Sequence, residues 1–183
     1  GTIRDMGLFT GTLHPRTQFV VAPKIGGRLE KLLVNVGDPV KPDQLIAVLD
    51  QGDYAQQVDQ AKAELEVARA NVEEALSALE IAGRELERVK SLHGKKIVSA
   101  WELDQAEARY RAQKAKHKVA LAHVVQKQAA LKASEVRLSY TRIRAAGDGQ
   151  NGERWVVGER FVDEGAMLAP NTPIVSILEI GAL

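Results

Sequence analysis

Few side chains in this 183-residue sequence have the types and spacing that catalysis or metal binding requires. Cysteine is absent, which excludes thiol chemistry, disulfides and cysteine-ligated metals. The histidines, His14, His93, His117 and His123, are scattered along the chain, whereas a metal site needs ligands that converge. No P-loop, Ser-His-Asp order or Rossmann glycine pattern is present. We therefore predict that the protein is not an enzyme and binds neither a metal nor a cofactor.

Two short β-rich segments, residues 34–49 and 162–177, resemble each other. When Gly37 is aligned with Gly165, the apolar and proline positions coincide, as in Val40/Leu168, Pro42/Pro170, Ile46/Ile174 and Leu49/Ile177. Such a repeat indicates one structural unit used twice. Because the two halves have to meet in space, the residues between them are expected to project as a hairpin.

The intervening residues have the period of a coiled coil. Asp53 is predicted to be the N-cap of a first helix, with Gln56 at the capping-box position. A helix from Asp53 to His93 would be roughly 60 Å long. Its inward positions alternate in steps of four and three: Tyr54, Val58, Ala61, Leu65, Ala68, Val72, Ala75, Leu79, Ala82, Leu86 and Val89.

A short basic turn is predicted to follow, with Gly94 as the helix stop. Ser99 and Glu102 form a capping box, and Val98 and Leu103 form its hydrophobic staple. The turn is so short that the second helix has to run antiparallel to the first. Its inward positions are Leu103, Ala106, Tyr110, Gln113, His117, Ala120, Val124, Lys127, Leu131 and Leu138, and strand character is expected from Leu138 to Ile143.

Bulk composition excludes several other classes of protein. A net charge of +1 with 27% charged residues gives no electrostatic footprint for nucleic acid. No run of 18 apolar residues and no signal peptide is present. The sequence starts at Gly1 without an initiator methionine, and we expect it to be part of a longer protein.

Three stretches are similar to conserved parts of the HlyD-type membrane fusion, or periplasmic adaptor, family. They are residues 27–50, residues 138–145 with Leu138, Thr141 and Ile143, and the segment that contains Gly165, Leu168 and Ile174. The chain departs from the family pattern at Ala146, where a proline is usual, and after Asp148-Gly149, where residues 150–154 precede the next apolar run.

The resemblance implies an α+β fold: a split lipoyl-like β-sandwich with a long antiparallel two-helix coiled coil inserted between its halves. Residues 18–52 and 140–180 would form the sandwich, and residues 53–139 the hairpin. Residues 1–17 would be an N-terminal segment, which could be the remnant of a β-barrel strand.

The same resemblance implies a function in export. Family adaptors link an inner-membrane transporter to a TolC-type outer-membrane channel and assemble into rings, here a trimer or a hexamer. The parent protein would be periplasmic and anchored to the inner membrane of a Gram-negative bacterium. A hairpin of about five heptads favours small-molecule efflux; the alternatives are a type I protein-secretion adaptor and a coiled-coil scaffold.

A lipoyl or biotin carrier is a further alternative, because the β halves resemble that fold. A carrier exposes its lysine on a tight turn where the halves join, and here the helical insert occupies that junction. Ala166-Met167-Leu168 matches part of the biotin pattern but lacks the lysine, and Lys24 and Lys41 lie in turns of another kind.

The hairpin tip is the strongest candidate for a partner-binding site. Arg88, Leu92 and Ser99 are similar to the Arg, Leu, Ser motif of family members that dock onto the channel. With Leu86 at heptad position a and Val89 at d, Arg88 falls at c and Leu92 at g, and these two are neighbours beside the seam. The alternative is structural: Ser99 caps a helix, Leu92 covers the hairpin end, and Arg88 pairs with Glu85 or Asp104.

Overall fold

The structure, a computed structural model, describes residues 18–146 and 154–180. They divide into two units, Gln51–Ser139 and the described residues on either side of that insert. The predicted N-terminal segment 1–17 and most of the irregular loop after Ala146 lie outside the described residues. The strands are β1 (Gln18–Val21), β2 (Gly27–Leu32), β3 (Pro39–Val40), β4 (Leu45–Leu49), β5 (Arg142–Arg144), β6 (Arg154–Arg160), β7 (Met167–Leu168) and β8 (Val175–Ile180).

The strands form two antiparallel four-stranded sheets, in the orders β1-β8-β6-β3 and β5-β4-β2-β7. Apolar side chains from both sheets share one core between the two layers. The most deeply buried large side chains include Leu29, Ile46, Leu49, Ile174 and Ile177. The predicted fold class, a split β-sandwich with a helical hairpin inserted, is confirmed.

The two halves that repeat in sequence also contribute to the two sheets in the same way. In each sheet two central strands from one half of the chain are flanked by edge strands from the other half. Matching backbone hydrogen bonds tie the halves together: Gly37 N–H donates to the Val157 carbonyl and Gly165 N–H to the Leu29 carbonyl, both at 2.8 Å. Neither half can therefore complete a sheet alone.

The repeated turns have the same backbone conformation. Gly37 and Gly165 have φ of 89° and 88°, a region that favours glycine. Asp43 and Asn171, each directly after a proline, have φ of 60° and 64°. Asp and Asn are the side chains that best tolerate this left-handed region. The glycine and Pro-Asx positions that align in the sequence therefore determine the same two turns in each half of the sandwich.

The second unit is a helical hairpin of α1 (Gly52–Gly94) and α2 (Ala100–Ser139). Its buried and half-buried positions follow the predicted seams of both helices, including Lys127. Lys127 Nζ lies 2.7 Å from Glu64 Oε2 on the facing helix, as an antiparallel register requires. This hydrogen bond from Lys127, with one from Gln60, lowers the pKa of the Glu64 carboxyl.

One predicted helix start and one predicted strand start on the sandwich side of the hairpin are wrong. Helix α1 begins at Gly52, and Gln51 occupies the N-cap position without a side-chain cap, so Asp53 lies inside the first turn. Helix α2 ends at Ser139, the predicted end of the hairpin, but the strand expected from Leu138 begins only at Arg142, as β5. Half-buried Leu138 belongs to the hairpin seam, and that packing overrides the local strand propensity.

Candidate partner-binding site at the hairpin tip

The link between the two helices is closed by a Schellman motif. Ile97 N–H donates to the Leu92 carbonyl at 3.0 Å, and Lys96 N–H donates to the His93 carbonyl at 2.8 Å. The motif requires a left-handed residue after the helix, and Lys96 fills that place with φ of 59°. The prediction that Gly94 stops the helix is therefore wrong, because Gly94 is still helical.

We expect Lys96→Gly to raise the free energy of unfolding of the hairpin by about 1 kcal/mol, since glycine adopts φ near 60° without the steric cost of a side chain. Thermal unfolding followed by circular dichroism at 222 nm measures the change. Gly94→Ala is the matched control: Gly94 is helical, and a Cβ there would meet nothing within 4 Å. A Lys96→Gly variant that melts at a lower temperature would contradict the assigned stop.

The second helix starts with the predicted capping box. Ser99 Oγ accepts a hydrogen bond from the Glu102 N–H at 3.3 Å, and Glu102 Oε2 accepts one from the Ser99 N–H at 2.9 Å. The Ser99 hydroxyl also donates to Glu102 Oε2 at 3.1 Å. Ser99 therefore caps helix α2, which is the structural alternative to a role in docking.

Arg88 projects from the last turns of α1 with 69% of its side chain exposed. Its guanidinium pairs with the Glu85 carboxylate one turn earlier. The hydrogen bond to Glu85, reinforced by the charge of that carboxylate, raises the pKa of Arg88 above its ordinary value. Such an exposed pair adds little stability, so Arg88 can exchange Glu85 for a foreign acceptor at small cost.

Leu92 lies one turn after Arg88 and is half-buried. Its carbonyl is part of the Schellman motif, whereas its side chain keeps some apolar surface exposed at the end of the helix. The structure thus places Arg88 and Leu92 on α1 and Ser99 across the link, at the start of α2. The hydrogen bonds of Arg88 and Ser99 go to their own helical neighbours.

Two apolar tip residues were missed by the sequence reasoning. Ile97, in the link, is 65% exposed, and Trp101, in the first turn of α2, is 67% exposed. Trp101 lines a groove of about 180 Å³ together with Val89 and Arg109. The sequence does contain a signal for Trp101: it is a large apolar residue that lies outside the 4-3 spacing of the seam and next to a predicted helix start. Exposed aromatic and arginine side chains are the types that concentrate in protein interfaces.

Metal ligands do not gather in the part of the chain that the structure covers, where no three His, Asp or Glu side chains come together as ligands would. Neither α1 nor α2 contains a segment long and apolar enough to cross a membrane.

Comparison with known proteins places the tip in a recognised domain. Residues 57–141 match the family model described as "RND MFP, alpha-helical hairpin domain". The macrolide export protein MacA of Escherichia coli O157:H7 is 31% identical over 145 residues, which are 79% of this chain and 39% of MacA. Residues 57–141 thus belong to the α-helical hairpin domains of the membrane fusion protein family. Arg88, Leu92 and Ser99 all lie in this domain.

A second relative and a solved structure agree with this family. The multidrug resistance protein MdtA of Photorhabdus laumondii is 28% identical over 155 residues, which are 85% of this chain and 35% of MdtA. The crystal structure of MacA from Actinobacillus actinomycetemcomitans superposes with a TM-score of 0.79 at 25% identity, over 91% of this chain and 49% of that one. The chain thus spans less than half the length of these relatives.

Proposed function

We propose that the protein is the hairpin-and-sandwich part of a periplasmic adaptor in a tripartite export system. It would link an inner-membrane transporter to a TolC-type outer-membrane channel, as a ring of three or six copies. The parent protein would be anchored to the inner membrane. The observation that carries this proposal is a helical hairpin, matched by the family model over 57–141, inserted between the two halves of a split β-sandwich.

The tip chemistry supports docking onto a helical partner. Arg88 offers an exposed guanidinium, half-buried Leu92 offers apolar surface one turn away, and Trp101 adds an exposed aromatic ring. An arginine beside apolar anchors is suited to a partner that presents a carboxylate or backbone carbonyls next to an apolar patch. Ser99 contributes by fixing the start of α2 and hence the position of Trp101.

The cargo is proposed to be a small molecule. The two curated relatives described above are named for macrolide export and for multidrug resistance, which favours efflux over type I protein secretion. Covalent carrier function is disfavoured because Leu168, at the place of the biotinyl lysine, is only 3% exposed and belongs to the core.

Leu92→Asp tests the docking proposal. We expect export, measured as cellular drug resistance with the variant expressed from its native locus, to be lost, because a carboxylate replaces the apolar contact that the partner would cover. The hairpin of the purified chain should keep nearly all its helicity, since the Leu92 carbonyl in the Schellman motif is a backbone group.

Leu121→Asp is the matched control. Leu121 is a leucine on α2, remote from the tip in sequence and 46% exposed, and its replacement should leave resistance unchanged. Loss of helicity in Leu92→Asp would instead assign Leu92 a purely structural role. Unchanged resistance with normal protein levels would refute docking through the tip.

A further inference from the structure

Gly83, in the middle of α1, is not explained by the packing of its own hairpin. Glycine is among the least favourable residues in a helix interior. A Cβ added at Gly83 would lie 3.6 Å from Cε2 of Tyr110, an ordinary van der Waals contact. Alanine would therefore fit against the facing helix and favour the helix more. The missing side chain leaves space that the hairpin itself does not use.

That space is part of a mainly apolar groove. The groove measures about 550 Å³, and Leu76, Leu79 and Tyr110 provide its apolar walls around Gly83. Leu76 is 41% exposed. The groove lies on the flank of α1 that carries heptad position e.

The opposite flank of α1 carries a projecting side chain at the same level. Ile81 is 60% exposed and lines a smaller groove, of about 340 Å³, with Ala78 and Gln113. Residues two positions apart on an α-helix point roughly 200° away from each other and are separated by about 3 Å along the axis. Ile81 and the space at Gly83 are therefore a protrusion and a recess on opposite flanks at nearly one height.

The charged groups beside these two features are complementary. Arg109 lines the groove under Ile81, where the carboxylate of Glu85 is already paired with Arg88, and Glu80 lines the groove at Gly83. Neither Arg109 nor Glu80 has an ion-pair partner among the residues that the structure describes. Arg84 also borders the Gly83 groove, at heptad position f, farthest from the seam. The carboxylate of Glu87 there already lies 3.7 Å from Lys90.

We propose that two copies of this chain pack hairpin to hairpin, side by side and in the same direction, with Ile81 of one copy in the Gly83 groove of the next. The guanidinium of Arg109 then faces the carboxylate of Glu80 across the contact. A contact between different flanks at equal height is heterologous: one copy of the pair keeps a free recess and the other keeps a free protrusion, so the contact can repeat into a ring. This inference deepens the proposed function by naming the surface through which adaptor hairpins associate.

Thiol cross-linking of the whole 183-residue chain tests the contact, because the native sequence has no cysteine. Ile81→Cys and Gly83→Cys are purified separately, one with a tag that shifts its gel mobility, and are mixed under mild oxidation. We expect the mixed 81–83 disulfide to form at least about tenfold faster than either homodimer, since docking raises the effective concentration of that thiol pair.

Val67→Cys mixed with Gly83→Cys is the matched control. Val67 has the same heptad position as Ile81 and is 62% exposed, but it lies two heptads away, about 21 Å along the helix. A mixed 81–83 yield no higher than this control, or a predominant 81–81 homodimer, would overturn the proposal. The readout does not depend on export, so resistance that survives Leu92→Asp would refute docking through the tip and leave this contact standing.

Discussion

Replacing Ile174 with alanine is expected to lower the free energy of unfolding of the β unit by about 2–5 kcal/mol, since the smaller side chain leaves a cavity in a close-packed core. Ile174 is 0% exposed, and its N–H donates to the Val21 carbonyl at 2.9 Å. Ile46, its counterpart in the first half, is equally buried. Ile46→Ala should therefore cost a similar amount, although it lies on the other side of the helical insert.

Tryptophan fluorescence during urea unfolding can isolate the β unit. Trp155 is 6% exposed and packs edge-on against Phe19 at 5.3 Å between ring centroids. The chain has two tryptophans, so a Trp101→Phe background leaves only this one. Leu33→Ala, at a side chain that is 50% exposed, should change stability by less than about 0.5 kcal/mol. A large cost for Ile174→Ala without one for Ile46→Ala would contradict a core shared equally by both halves.

Periodic features could be predicted from the sequence because burial imposes the period. The 4-3 spacing of apolar residues identified the seam of both helices, down to Lys127 at an inward position, and the repeat around Gly37 and Gly165 identified equivalent turns. These patterns extend over many residues, so no single substitution hides them. The capping box at Ser99 was predictable for a different reason: both partners are local in sequence.

Boundaries and exposure were harder to predict, because more than one residue near a helix end can adopt the conformation that stops it, and exposure depends on how the two helices pack. Gly94 carried the expected stop signal, but the hydrogen bonds of the Schellman motif extend the helix and place Lys96 in the left-handed conformation instead. At the tip the sequence indicated Arg88, Leu92 and Ser99, whereas Ile97 and Trp101 gave no periodic signal. Their importance comes from their exposure, which only the arrangement of the two helices determines.

Gly158 also lacks a sequence signature, and yet the structure gives it a strict steric role. It lies where β6 shifts register, between Val157 and Arg160. A Cβ there would stand 2.7 Å from both Cγ and Cδ1 of Leu178 and 3.0 Å from Ser176 Oγ. That hydroxyl belongs to a fully buried side chain and accepts a hydrogen bond from the Glu159 N–H at 2.9 Å.

Gly158→Ala is therefore expected to destabilise the β unit by about 1–3 kcal/mol, because the methyl group has to displace Leu178 and disturb the buried Ser176 hydrogen bond. Urea unfolding followed by Trp155 fluorescence measures it. If the clash with Leu178 is the main cause, Gly158→Ala should cost much less in a Leu178→Ala background, so a double-mutant cycle isolates that contact.

The first half of the chain provides the control. Glu30 aligns with Gly158 in the repeat and lies at the matching register shift of β2, between Leu29 and Lys31, but its side chain is exposed. Asp50 stands there in place of Leu178. Glu30→Ala should consequently leave stability within about 0.5 kcal/mol of the native chain. Equal costs at both positions would show that any substitution at this register shift is costly, whichever side chain faces it, and would contradict the clash with Leu178 as the cause.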